Sequence, residues 1–132
     1  MIPLPVVLGL TICEKAIVEE GTRNVTLVST FTKLLVDSFP TPPQKFTAHV
    51  VLTEGLGTGI IDLVVSSLDT NREVYQARVP IRFPDRLMEL RLLFNVTNCV
   101  FPAPGAYQLM LVLDGECLAL RRFQVLAREK KS

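Results

Sequence analysis

The residues of this chain that could perform acid–base, nucleophilic or metal chemistry are one histidine, three cysteines and scattered aspartates. His49 would need an activated nucleophile beside it, yet no Gly-x-Ser-x-Gly motif occurs and no motif brackets Cys13, Cys99 or Cys117. One histidine without clustered thiols does not suit a zinc site. The sequence contains no Cys-x-x-Cys motif, so a redox pair is not indicated. We therefore expect a protein that is not an enzyme and uses no metal or other cofactor.

The aspartates and a glycine-rich segment offer two further kinds of chemistry. Asp62, Asp69, Asp85 and Asp114 are far apart and mostly lie in predicted turns, where aspartate stabilises the bend. Two of them could converge as a glycosidase pair, which the sequence does not decide. The run Gly55–Gly59 lacks the Lys-Ser/Thr of a phosphate-binding loop and no helix follows it, so we predict a β-hairpin connection there.

The densest basic group is a third candidate. Acidic residues Asp85 and Glu89 are interspersed and no aromatic platform accompanies the group, so the first interpretation is a solvated, partly ion-paired sheet face. The alternative is a surface for an anion or a protein partner, formed by Arg82, Arg86, Arg91, Arg121 and Arg122. The net charge of +1 predicts no long-range attraction to nucleic acid or to an anionic membrane.

The hydrophobic pattern has a period of two almost everywhere, which is typical of half-buried strands. Roughly eight strands are predicted from this pattern, over residues 4–13, 24–36, 45–54, 58–67, 73–82, 87–96, 106–113 and 117–126. Regular turn signals between them predict an all-β, antiparallel, immunoglobulin-like β-sandwich. We expect one domain over residues 1–127 and a frayed tail at 128–132. His49 falls outside the core-facing positions of its strand and is predicted to be dispensable.

The C-terminal segment carries the clearest structural signature. A Pro/Gly corner ends at Gly105, a strand opens at Tyr107, a turn falls at Asp114-Gly115, and a strand containing Phe123 returns. We expect the Tyr107 hydroxyl to donate to a backbone carbonyl within Asn98–Pro104, as in a tyrosine corner.

Two registers are open for this last hairpin. A two-residue loop pairs the Tyr107 face with Leu118, Leu120, Arg122 and Gln124. A left-handed bulge at Gly115 shifts the pairing by one residue, so that the same face meets Cys117, Ala119, Arg121, Phe123 and Val125. We prefer the bulge, because it keeps Phe123 and Val125 inside.

Several motifs together resemble a family of small, uncharacterised bacterial proteins. They include the Phe39-Pro40 segment, the Pro-Gly-x-Tyr strand at Pro104–Tyr107 and the Asp114-Gly115 turn. The resemblance covers most of the chain and implies the sandwich fold, and it implies no catalytic residues, since no activity attaches to that family. The antibody-type variant is not matched, because Leu109 stands where the disulfide cysteine would lie and there is no tryptophan.

The N-terminal apolar run Ile2–Ile12 is shorter than the roughly 20 residues that span a bilayer, and no basic residue precedes it. We interpret Ile2–Cys13 as a first strand, with a weak export signal as the alternative. Without export, the odd number of cysteines predicts three free thiols in a bacterial cytoplasmic protein.

The mean hydropathy of +0.36 and strands that are apolar on both faces, such as Leu109–Leu113, predict a surface that another layer covers. We expect a non-catalytic interaction or assembly module that forms a homo-oligomer or binds a protein partner. The alternatives are a sandwich that binds a small ligand or carbohydrate, a small enzyme, and a structural component of a phage or secretion particle. The sequence identifies no partner, ligand or pathway.

Overall fold

The computed structural model describes residues 4–129. Within that range the chain forms nine strands and no helix. They are β1 Val6–Val18, β2 Val25–Thr30, β3 Lys33–Val36, β4 Gln44–Thr53, β5 Gly57–Ser67, β6 Glu73–Phe83, β7 Leu90–Cys99, β8 Gly105–Leu113 and β9 Glu116–Ala127.

The strands form two facing sheets. Sheet A has the order β2-β1-β4-β7 and is antiparallel throughout, whereas sheet B has the order β3-β9-β8-β5-β6. In sheet B only the short pair of β3 with β9 is parallel. This architecture confirms the all-β, immunoglobulin-like sandwich that the alternating pattern predicts.

The core lies between the two sheets and is centred on an aromatic cluster. The ring of Phe123 has its centroid 6.0 Å from Phe101, 6.1 Å from Tyr107, 6.2 Å from Phe46 and 6.4 Å from Phe31. These rings come from both sheets and from the connections between them. The cluster therefore supplies the cross-sheet packing that a disulfide and a tryptophan supply in antibody domains.

The predicted strand 24–36 is in fact two strands in different sheets. Ser29 has a φ of +55°, and beyond it the chain leaves sheet A. The Phe31 N–H donates to the Ile12 carbonyl at 3.0 Å, and the Gln124 N–H donates to the Thr32 carbonyl at 2.9 Å. Residues 31–32 thus bond to one sheet and then to the other, which the continuous apolar pattern of the sequence conceals.

The prediction of a hairpin at Gly55–Gly59 is wrong, since β4 belongs to sheet A and β5 to sheet B. The connection crosses between the sheets and packs tightly over the core. A Cβ atom on Gly55 would lie 2.5 Å from the Phe83 ring. The glycine serves this close approach rather than a phosphate group.

The Asp114-Gly115 turn is a two-residue loop, with Leu113 paired to Glu116. Both turn residues have positive φ, +46° and +89°, as a type I′ hairpin requires. The predicted left-handed bulge at Gly115 is therefore wrong in position. The one-residue shift occurs instead at Leu118, so Cys117 pairs with Val112 on the outer face and not with the Tyr107 face as predicted. Beyond the shift the preferred register holds, and Phe123 lies inside at 2% exposure.

The tyrosine corner is confirmed. The Tyr107 hydroxyl donates to the Ala103 carbonyl at 2.6 Å. Gly105 precedes it with a φ of +145°, where a Cβ atom would lie 2.6 Å from Oδ2 of Asp69.

Order continues past the predicted domain end. The Arg128 N–H donates to the Val36 carbonyl at 2.8 Å, so the first residue of the expected frayed tail is tied to β3. The remainder of that tail from residue 130, like the first three residues of the chain, lies outside the described residues.

Candidate functional site

Among residues 4–129, no hydrogen bond joins His49 to a cysteine or an aspartate. His49 lies on the outer face of sheet A, paired with Thr11 on one side and Leu93 on the other. Its Nε2 atom is enclosed and has no hydrogen-bond partner. Cys13 lies on the same face, but its thiol donates to the Lys15 carbonyl at 3.3 Å. Burial, together with the positive charge of Arg91, lowers the pKa of His49.

The carboxylates are engaged separately rather than converging. Asp62 accepts a hydrogen bond from Nε of Arg78 at 2.8 Å, and Asp85 accepts one from the Leu87 N–H at 2.8 Å. Asp114 accepts one from the Ile60 N–H at 3.3 Å. Across residues 4–129, no three His, Cys, Asp or Glu side chains are close enough together to hold a metal ion.

The five arginines proposed as a partner surface do not share one face. Arg82 and Arg122 both lie on the outside of sheet B, but on β6 and β9, which two other strands separate. Arg91 lies on the outside of sheet A, and Arg86 lies in the loop before β7. Arg121 lies on the inner side of β9, at the open flank between the sheets. Sequence proximity therefore does not translate into a common basic patch.

An apolar surface covers the middle of the outer side of sheet B. In its central row Val64 pairs with Met110, and Met110 pairs with Leu120. Ile60 and Leu120 are 43% and 46% exposed. We call this surface the B face, and it consists of Ile60, Val64, Pro80, Met110, Val112 and Leu120. Sequence reasoning found Met110 and Val112, which stand at off-core positions of β8, but the other members follow only from the strand order.

A polar rim surrounds the B face. The Arg78–Asp62 ion pair interrupts the B face, since Asp62 pairs with Val112 and stands between Ile60 and Val64 on β5. At the other end Arg122 lies beside Gln108. An apolar centre inside a polar rim is the usual anatomy of a protein interface. The outer side of β9, β8, β5 and β6 measures roughly 20 by 30 Å, since neighbouring strands lie about 4.8 Å apart and nine residues of a strand extend about 3.3 Å each. This is the order of area that one partner contributes to a standard interface.

One end of the B face opens into a depression of about 570 Å³. Its walls include Thr58, Ile60, Pro80, Arg82 and Asp114, and none of its lining residues is aromatic. A sugar ring would therefore find no aromatic surface on which to stack there. The depression does not favour the carbohydrate-binding alternative.

Within residues 4–129, no helix has the length and apolar character needed to cross a membrane.

Fold and surface together define an immunoglobulin-like β-sandwich with an apolar outer face on one sheet. The chain belongs to DUF6941, a family of unknown function, whose profile matches residues 8–126. This confirms the resemblance to an uncharacterised family. No curated protein matches the chain.

Two solved structures resemble the chain weakly. The beta-glucosidase from Listeria innocua has a TM-score of 0.47 at 12% identity, over 73% of this chain and 15% of that one. The selenomethionine-labelled beta-glucosidase from Kluyveromyces marxianus has a TM-score of 0.45 at 13% identity, over 83% of this chain and 16% of that one. The chain thus spans a small part of either enzyme.

Proposed function

We propose that this protein is a non-catalytic assembly module that self-associates through the B face. The observation that carries the proposal is the row of adjacent outward apolar side chains on three neighbouring strands, Leu120 on β9, Met110 on β8 and Val64 on β5. Contiguous apolar surface of this kind marks interaction sites, because its exposure to water is unfavourable.

Charge complementarity favours a second copy of the chain as the occupant. One row across sheet B runs from Arg122 through Gln108 and Ser66 to Glu73, so that it has a cation at one end and an anion at the other. A two-fold axis parallel to the strands would bring Arg122 of each copy to Glu73 of the other. The same axis would bring Met110 over the partner's Val64, so that the central apolar pair of each copy covers that of the other.

The three unpaired cysteines support a reducing compartment such as the bacterial cytoplasm. The separate engagement of Asp62, Asp85 and Asp114 supports a role without catalysis. Fractionation of the native host cells tests the location independently of assembly.

The test is the mass in solution, measured by light scattering and sedimentation over a range of concentrations. We expect the native chain to exceed the 14.7 kDa of one copy. Leu120→Glu should lower the assembled mass, because it puts a charge beside Met110 within the apolar row of the contact. Ile17→Glu is the matched control, since Ile17 is 52% exposed but lies on β1 of sheet A. A native chain that is monomeric throughout, or a Leu120→Glu variant that assembles unchanged, would overturn the proposal.

A further inference from the structure

The free edges of the two sheets differ in how they are protected. An edge strand presents unpaired N–H and C=O groups to any passing strand, and proteins block such edges with short strands, prolines, bulges and charges. Sheet A ends in β2 and β7, and sheet B ends in β3 and β6. The first half of β1 and the first half of β9 are also uncovered, because β2 and β3 pair only with their second halves.

Of these edges, all but one carry a blocking feature in the described residues. β3 has four residues, and β2 has six, with Ser29 in a left-handed conformation. β6 has a bulge at Val74 and a proline at Pro80. The free half of β1 has a bulge at Leu8, and that of β9 has a bulge at Leu118. These devices interrupt the regular spacing that an added strand needs.

The exception is β7. From Leu90 to Val96 its register with β4 is regular, and the irregularity begins only at Thr97–Asn98. This seven-residue run contains no proline, no lysine and one charged side chain, Arg91. No other described strand pairs with its outer side.

The regular run is complementary to itself. Its middle residue is Leu93, so antiparallel pairing about Leu93 uses the whole run. On the core side, Leu90 would face the partner's Val96, and Leu92 would face the partner's Phe94. On the outer side, Leu93 would meet its own copy, and Arg91 would face the partner's Asn95. No like charges meet, and each apolar side chain faces an apolar one, which is the pairing that stabilises neighbouring strands.

We propose that β7 pairs with β7 of a second copy in this register and joins two copies of sheet A into one continuous eight-stranded sheet. This edge contact is separate from the B face and does not rest on it. If both contacts form, each chain has two different two-fold contacts, so the assembly contains more than two copies.

A charge exchange at the symmetry centre tests the edge contact. The experiment uses the Leu120→Glu background, in which the B face does not contribute. There we expect a dimer, which is disrupted by Leu93→Lys and by Leu93→Glu, because each brings like charges together at the axis. Each change should raise the dimer dissociation constant by at least about tenfold. An equimolar mixture of the two variants should recover the dimer as a mixed pair.

The control exchanges the same charges at Ile17, which lies on the same sheet but outside β7. Both Ile17 variants should stay dimeric, alone and mixed. Circular dichroism establishes that each Leu93 variant is folded, and Leu93→Thr, which introduces an uncharged side chain that suits a strand, should remain dimeric. A monomeric Leu120→Glu protein would overturn the edge contact. So would Leu93→Lys and Leu93→Glu proteins that stay dimeric, or a mixture that stays monomeric.

Discussion

The hydroxyl of Tyr107 donates a hydrogen bond to the carbonyl of Ala103 at 2.6 Å and thereby ties β8 to the corner that precedes it. The ring packs edge-on against Phe101, with 4.8 Å between the centroids. Burial of the ring raises the pKa of Tyr107, so the phenol keeps its proton and remains a donor at neutral pH.

Tyr107→Phe should lower the free energy of unfolding by about 0.5–1.5 kcal/mol, because it removes this hydrogen bond and little packing. Urea denaturation measures the change. Tyr75→Phe is the control, since Tyr75 is half-buried but has no hydrogen bond from its hydroxyl among the described contacts. Equal losses in the two variants would show that the corner bond does not contribute.

Phe123→Ala should cost about 3–5 kcal/mol, since it empties the centre of the aromatic cluster. The neighbouring Gln124 side chain points outward, and Gln124→Ala should change stability by no more than about 0.5 kcal/mol. Thermal and urea unfolding of both variants provide the comparison. A loss below about 1 kcal/mol for Phe123→Ala would mean that the cluster relaxes around the missing ring.

The three thiols should react at very different rates. Cys117 is exposed, whereas Cys13 and Cys99 are buried, and burial raises the pKa of Cys99 to about 12. Because the thiolate is the reactive form, an electrophile should label Cys117 first in the native protein. Denaturation without reductant should then expose three thiols, as mass spectrometry would count. A count of one would indicate a disulfide.

His49 should make stability depend on pH. Burial lowers its pKa below the ordinary 6.5, so the unfolded chain binds the proton more readily than the folded chain. The contribution of neutral His49 to stability is therefore complete above pH 6.5, and it is lost as the pH falls through the lower pKa that His49 has in the folded chain. Replacement by an apolar residue, His49→Val, should remove this loss between pH 7 and 5, and at pH 7 it should cost little, because Nε2 has no partner. An unchanged pH profile in His49→Val would contradict this account.

The expected dispensability of His49 stays a prediction, tested by His49→Ala at pH 7. The residue is half-buried rather than freely exposed, because it lies on the outer face of β4, a central strand of sheet A, between Thr11 and Leu93.

The alternation of apolar residues and the turn motifs were sufficient to predict the features that depend on residues close in sequence. The alternation around Phe46 and Leu109 identified core positions correctly, and Asp114-Gly115 identified the turn. The tyrosine corner followed from a Pro/Gly corner placed just before Tyr107, since its bond spans four residues.

The features that the sequence did not predict depend on the pairing of strands that are distant in sequence. The B face brings Leu120 beside Met110 and Val64, which requires knowing that β9, β8 and β5 are neighbours. Arg121 and Arg122 are adjacent in sequence yet lie on opposite sides of β9, because successive strand residues point to opposite faces. The bulge at Leu118 was not predicted either. It restores the register that places Phe123 inside after a two-residue turn, and only the observed strand pairing shows this.

The parallel pairing of β3 with β9 has a consequence for how the chain folds. Lys33 pairs with Gln124, and Val36 pairs with Ala127, in both cases 91 positions later in the sequence. During synthesis β3 is thus complete long before its only partner strand exists. Contacts of such long sequence separation slow folding, so we expect refolding in about milliseconds to seconds. The amides of β3 should be among the last to gain protection from hydrogen exchange, whereas those of the β8–β9 hairpin, whose partners are close in sequence, should be protected early.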